Sequence, residues 1–278
     1  FDRCGVPPLR GGDSALISDN VPLTMNILAL IPARMGSSRF PGKPMARLLG
    51  VPMIGHVYQR VKQNPLLMLT AVATCDEEIA GYISSIGGKA VMTGSHHQRA
   101  SDRCAEALEI LESEQGLRFD IMVMVQGDEP MTHPEMITEA VKPMIDDPSI
   151  VVVNLLGRIE SAEEFEDRNC IKVVCDLRGN ALYFSREPIP TRCKVEDVPM
   201  RKQVCIIPFR RDFLLEYTRM APTPLEIAES VDMMRVLEHG QRVYMAPTNY
   251  STHAVDTETD ARLVEDLLAK DPLTAQYL

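Results

Sequence analysis

Two rhythms of apolar and polar positions alternate along this chain. From residue 26, short apolar runs are followed by stretches whose apolar positions fall three and four apart. The runs read as buried strands, and the three-four spacing reads as helices with one buried face. Strands are expected at 26–31, 69–74, 89–92 and 121–126, and helices at 53–62, 77–85, 100–114 and 134–146. Strand and helix in turn predict βαβ units, hence an α/β fold with a parallel sheet covered on both faces. Ligands of such sheets bind beyond the carboxyl ends of the strands, so the loops after these four strands are where chemistry is expected.

The rhythm changes after residue 150. Strands are expected at 150–156 and 171–175, then a hairpin turning at Arg178-Gly179-Asn180 into a strand at 181–185. Residues 187–200 are polar and proline-rich and read as a mobile loop. A strand at 204–209 and a helix at 225–238 follow, the helix with apolar residues at Leu225, Ala228, Val231, Met234 and Leu237. A last strand at 242–246 and a helix at 257–268 close the chain. Residues 1–24 carry no period and read as a disordered extension or tail. Residues 25–278 read as a single domain in three parts, 25–150, 151–250 and a return to the core at 251–278.

The 278 residues are ample for a sizeable core, and 45% hydrophobic with 24% charged residues is an ordinary globular balance. No apolar stretch approaches the roughly 20 residues of a membrane-spanning helix. The net charge of -10 argues against nucleic acid as a partner, so an anion would need a local basic patch. Seven cysteines, an odd count without C-x-x-C, fit reduced thiols in a cytoplasmic protein.

One segment supplies that basic patch. Arg34-Met-Gly-Ser-Ser-Arg-Phe-Pro-Gly-Lys-Pro-Met-Ala-Arg47 carries four basic residues and no acid, directly after the first strand. Its glycines let backbone N–H groups approach phosphate oxygens, and its cations supply counter-charge, so a polyphosphate is the natural ligand. A merely solvated basic loop is the plainer reading. The spacing from Gly36 to Gly42 and the proline at 44 exclude a Walker A loop, and G-x-G-x-x-G is absent there. Gln126-Gly-Asp-Glu-Pro130 sets acids at the end of another strand, where Asp128 could hold Mg²⁺ or simply serve a turn. Asp256 offers a second acid, with the alternative that it favours the N-terminus of the last helix. His96 and His97 read as a polar loop, Cys104 as a core residue, and Met122, Met124, Met144 and Met233 as core filler.

Taken together, Ile31-Pro-Ala-Arg-Met-Gly-Ser-Ser-Arg-Phe-Pro-Gly-Lys-Pro44, Val125-Gln-Gly-Asp-Glu-Pro130, Ala181-Leu-Tyr-Phe-Ser-Arg186, Pro224-Leu-Glu226 and Val255-Asp-Thr257 resemble the 3-deoxy-manno-octulosonate (KDO) cytidylyltransferase family, among the cytidylyltransferases that activate acidic sugars. The resemblance spans about residues 26–270. It implies a Rossmann-like, mainly parallel sheet of nucleotidyltransferase type, with 25–150 as the nucleotide-binding part and 151–250 as a smaller α+β part for the acceptor and for homodimer formation. The implied reaction joins CTP and an acidic sugar to give a CMP-sugar and pyrophosphate, with Mg²⁺ as cofactor, in lipopolysaccharide biosynthesis. By the same resemblance, Arg34, Lys43, Asp128 and Asp256 are catalytic, with Asp128 and Asp256 the metal ligands. Arg34, Gly36, Ser37, Arg39, Lys43, Ser101, Arg103 and Gln126 hold the nucleotide, and Gln126, Arg186, Glu226 and Glu229 the acceptor.

Three positions depart from the family pattern. Cys75 intervenes before Asp76 in the usual Ala-Thr-Asp. His97-Gln-Arg-Ala-Ser101 replaces His-x-Ser-Gly-Thr. Lys202-Gln-Val-Cys-Ile-Ile-Pro-Phe-Arg210 stands where the pattern has His-x-Gly-Ile-Tyr-x-Tyr/Phe-Arg, so a sugar-binding His and Tyr are missing. The acceptor the resemblance implies is KDO or a related acidic sugar, and the missing His and Tyr predict weak activity with KDO itself and better activity with a modified or smaller acid. Another ulosonic acid, a phosphonate, or a non-catalytic nucleotide-binding role are the alternatives.

Overall fold

A computed structural model describes residues 25–36, 40–194 and 198–278. In chain order the elements are β1 (Ile27–Ala33), β2 (Arg47–Leu48), β3 (Val51–Pro52), α1 (Met53–Val61), β4 (Leu69–Thr74), α2 (Glu77–Ser85), β5 (Lys89–Met92), α3 (Ala100–Gln115), β6 (Ile121–Val125) and α4 (Pro134–Asp146). The second half adds β7 (Val153–Arg158), α5 (Ala162–Glu166), β8 (Lys172–Cys175), β9 (Ala181–Ser185), β10 (Arg201–Val204), β11 (Ile206–Arg210), α6 (Arg211–Tyr217), α7 (Pro224–Glu229), α8 (Asp232–Glu238), β12 (Tyr244–Pro247) and α9 (Glu258–Leu268).

The first sheet runs β11-β6-β1-β4-β5, parallel except for β11 at its edge. Strand residues point alternately to opposite faces. Leu28, Leu30, Met122 and Met124 pack with Leu108 and Leu111 of α3. Ile27, Ala29, Ile31, Val123 and Val125 pack with Val57 of α1, Ile79 of α2 and Val141 of α4. Both faces are therefore dry, which is why the strands read as unbroken apolar runs rather than alternating ones. The four methionines read as core filler are all buried.

The second sheet runs β12-β7-β10-β8-β9 and is mostly antiparallel, with β12 parallel to β7. The hairpin joining β8 to β9 turns at Gly179, whose φ of 86° suits glycine.

Two expectations are corrected. The single strand expected at 204–209 is two strands in two sheets: β10 belongs to the second sheet and β11 to the first, and the chain crosses at Cys205. The carbonyl of Cys205 accepts a hydrogen bond from the Gln126 N–H at 3.2 Å, which stitches the crossing to the end of β6. The single helix expected at 225–238 is α7 and α8, broken where Ser230 takes a φ of 53°. The apolar spacing continues through that break, so periodicity alone could not show it. The loop expected at 187–200 has no helix or strand among its described residues. The extension at 1–24 lies outside the described residues.

Candidate active site

β1 and β6 are parallel neighbours, with Leu30 paired to Met124, so the loops that follow them leave the sheet side by side. Gly127 makes that approach possible: a Cβ there would sit 3.0 Å from the Pro32 carbonyl oxygen. On the β1 side, the Gly42 N–H bonds to the Met35 carbonyl at 3.2 Å and closes the basic loop at its base. Gly42 has a φ of 71°, a left-handed turn that leads into the short 3₁₀ turn Lys43–Met45.

That turn delivers the Lys43 ammonium between two carboxylates, 2.8 Å from Asp128 Oδ2 and 3.3 Å from Asp256 Oδ1. Burial works against the charge of Lys43, but the two acids outweigh it and hold its pKa above the ordinary lysine value. Asp128 and Asp256 lie 128 residues apart in sequence, and a backbone bond brings them together: the Val255 N–H donates to the Asp128 carbonyl at 2.9 Å. The capping residue of the last helix is Thr257, not Asp256. Thr257 caps α9, accepting from the Asp260 N–H at 3.2 Å, and Asp260 returns the contact. Two carboxylates already gathered around one cation form the hard-oxygen donor set that suits Mg²⁺, which takes its other ligands from water and phosphate. Among the described residues no group of three or more His, Cys, Asp or Glu side chains could hold a metal.

Two adjoining cavities meet at this point. One, of about 350 Å³, is lined by Arg34, Gly36, Lys43, Arg103, Gln126 and Asp128 among others. The other, of about 590 Å³, is lined by Gln126, Asp128, Arg186, Asp256, Lys202 and Gln203 among others. Gln126 and Asp128 stand on the wall of both.

Arg34 is exposed at the mouth, with Nη1 3.5 Å from the His97 carbonyl. Arg103 is buried; its Nη1 donates to Thr93 Oγ1 and to the Gly94 carbonyl, and its Nη2 has no partner. An unpaired buried guanidinium nitrogen on a cavity wall is a donor held ready for a ligand. Arg186 is gripped by backbone carbonyls: Nε donates to Glu229 O at 2.6 Å and Nη1 to Arg168 O at 2.9 Å. These contacts fix the fork without neutralising it, which suits a carboxylate ligand.

Not every expected residue reaches a cavity. Ser101 is buried and donates to Asp232 Oδ2 at 3.1 Å. Glu226 is fully buried, and Arg235 holds both its oxygens at 2.7 Å in a bidentate pair. Glu229 accepts from Tyr183 Oη at 3.0 Å and from the Arg186 N–H at 2.8 Å, so it orients Arg186 instead of lining the space. The structure places these three behind the wall: Ser101 beside Asp232, Glu226 in a buried ion pair with Arg235, and Glu229 against Arg186. Ser37 and Arg39 lie outside the described residues.

Other residues on the walls carried no sequence signal strong enough to single them out. Glu129 is buried in the larger cavity, where burial, with Asp128 adding to it, pushes its pKa up to about 7. Asp232 lines the same cavity, and burial raises its pKa too, against the opposing charge of Arg99. Gln203 donates to Asn154 Oδ1 at 2.6 Å and lines the same cavity. The cavity wall at the sheet crossing therefore retains polar hydrogen-bonding capacity beside Cys205 and Ile207.

The cytidylyltransferase family profile matches residues 28–243. The 3-deoxy-manno-octulosonate cytidylyltransferase of Geobacter metallireducens is 42% identical over 257 residues, covering 88% of this chain and 99% of the relative. That of Syntrophus aciditrophicus is 41% identical over 243 residues, covering 87% and 97%. Among solved structures, a CMP:2-keto-3-deoxy-manno-octonic acid synthetase complexed with CTP superposes with a TM-score of 0.80 at 36% identity, covering 88% of this chain and 99% of the other. A cytidylyltransferase from Leptospira borgpetersenii, at 16% identity and a TM-score of 0.59, shares the fold.

Proposed function

This chain belongs to the cytidylyltransferase family, and on that premise we propose that it transfers CMP from CTP to the anomeric hydroxyl of KDO, releasing pyrophosphate. The observation that carries the reading is Lys43 between Asp128 and Asp256, at the seam of a basic cavity and an acceptor-sized one. CTP takes the smaller cavity, its triphosphate against Arg34 and Lys43, and Arg103 Nη2 offers a donor deeper in. KDO takes the larger cavity, its carboxylate toward Arg186 and its hydroxyls toward Gln203 and Gln126.

The anomeric oxygen then forms a bond to the α-phosphorus. The bond from that phosphorus to the bridging oxygen of the β-phosphate breaks, pyrophosphate leaves with the electron pair, and the hydroxyl proton passes to solvent. Holding the two substrates across one seam supplies the orientation such a displacement needs. Asp128 and Asp256 would hold Mg²⁺, which when bound neutralises charge on the phosphates.

Two further features belong to this proposal. Exposed Leu182 on the edge strand β9 and exposed Ile227 on α7 support a homodimer formed with a second copy of the chain. The cysteines of the described residues are free thiols, which supports a cytoplasmic location. No helix among the described residues is long and apolar enough to cross a membrane. Thermal stabilisation by each of the four nucleoside triphosphates tests the nucleotide assignment. CTP should shift the midpoint most, and equal shifts from all four would overturn cytosine selection.

A further inference from the structure

One cation stands on the wall of both cavities and has no part in the roles assigned above. Arg99 immediately precedes α3, is about a quarter exposed, and lines the nucleotide and acceptor spaces alike. Its guanidinium is held from behind by two acids, Nη1 at 3.1 Å from Asp232 Oδ1 and Nη2 at 3.5 Å from Glu226 Oε1. Neither acid is loose. Ser101 donates to Asp232, and Arg235 clamps Glu226. The side chain has therefore given up much of its rotamer freedom before any ligand arrives, so little more is lost on contact. A guanidinium has five N–H donors, more than these two carboxylate contacts use.

A second feature converges on the same place. The 16-residue helix α3 starts at Ala100, which also lines both cavities, and no side chain caps its N-terminus. Its first-turn N–H groups and the positive end of its dipole favour an anion there. The group that must occupy the seam of donor and acceptor in a nucleotidyl transfer is the α-phosphoryl group. It is bonded to the nucleoside on one side and attacked from the other.

We propose that Arg99 is a catalytic residue that, with the N-terminus of α3, grips a non-bridging oxygen of the α-phosphoryl group as it passes to the acceptor. This rests on the function proposed above. Arg34 and Lys43 serve the loop end of the triphosphate, while Arg99 serves the phosphorus at which bonds form and break. A fixed cation aimed where charge develops contributes on the order of 10²–10³ in rate.

The test compares wild type with Arg99→Gln and Arg99→Lys, reading binding of CMP and of cytidine by calorimetry and turnover by pyrophosphate release. Arg99→Gln should weaken CMP at least about tenfold and leave cytidine unchanged, because the two differ only by the α-phosphate. Its kcat should fall roughly a hundredfold or more, with partial recovery on adding free guanidinium, and Arg99→Lys should lie between. CMP affinity and kcat within about threefold of wild type in folded Arg99→Gln would overturn the proposal. So would a raised acceptor KM with CMP binding intact, which would place the guanidinium on the acceptor instead. If Arg99→Gln does not fold, the CMP-to-cytidine affinity ratio of Arg99→Lys decides: a ratio equal to wild type overturns it. A wild-type protein that binds neither CTP nor CMP would refute the proposed function itself, a result distinct from any of these.

Discussion

Replacing Lys43 with methionine should change cation binding and catalysis in opposite directions. The ammonium sits 2.8 Å and 3.3 Å from two carboxylates. At an effective dielectric of about 20, each contact is worth roughly 5–6 kcal/mol of Coulomb attraction before desolvation. The acids are 30% and 24% exposed and can be rehydrated, so the net worth is about 1 kcal/mol per pair. A divalent cation entering the wild-type site competes with that ammonium. In Lys43→Met it meets the two carboxylates without that competing ammonium, and its Kd should fall by about thirtyfold for about 2 kcal/mol. Turnover should nevertheless drop by roughly 10² or more, since the triphosphate loses a cation. In chelator the variant should melt roughly 4–8 °C lower, because two acids are left facing each other. Mn²⁺ titration followed by electron paramagnetic resonance, without nucleotide, reads the first effect, and pyrophosphate release reads the second. Weaker or unchanged Mn²⁺ binding in Lys43→Met would refute Asp128 and Asp256 as a cation site.

Three other outcomes are expected. Asp128→Asn and Asp256→Asn should each abolish turnover while lowering the melting temperature by only about 2–4 °C; near-normal Mg²⁺-dependent activity in Asp256→Asn would exclude the two-carboxylate site. Glu226→Gln breaks a fully buried pair with Arg235, which should cost roughly 3–5 kcal/mol and lower the melting temperature by about 10 °C. A raised acceptor KM at normal melting temperature would instead put Glu226 on the sugar. Glu129, raised by burial from the ordinary glutamate value of 4.5 to about 7, holds its proton more tightly folded than unfolded. Its contribution is full below pH 4.5, is lost as pH rises towards 7, and amounts to roughly 3 kcal/mol at 1.36 kcal/mol per pH unit. Urea midpoints at pH 4 and pH 8 in chelator should diverge in wild type and converge in Glu129→Gln, whereas parallel behaviour would show that Glu129 stays ionised.

Much of the first sheet was legible because both its faces are buried: Ile27–Ala33 and Ile121–Val125 are apolar without interruption, and the helices between them keep one apolar stripe. The β2–β3 hairpin was not. Its turn places Leu49 at φ 49° and Gly50 at φ 82°, and a leucine gives no warning of a left-handed turn. That conformation is supported from far away, by Glu265 of α9 accepting from the Leu49 N–H at 2.6 Å. Ser230 conceals the α7–α8 break in the same manner. At the site, Lys43, Asp128 and Asp256 announced themselves by charge at strand ends, and the structure gathers them. The motif around Glu226 marks a position without saying which way the carboxylate faces, so its pairing with Arg235 was not legible. Arg99, Asp232 and Gln203 gain their places only from tertiary contacts between segments more than 45 residues apart.

The most direct measurement incubates the purified protein with CTP, Mg²⁺ and KDO and follows the products by phosphorus NMR and mass spectrometry. CMP-KDO and pyrophosphate should appear in equal amounts, with neither formed when KDO is left out. Pyrophosphate without a CMP-sugar, or no CMP adduct of KDO under conditions where CTP demonstrably binds, would contradict CMP transfer to this acceptor.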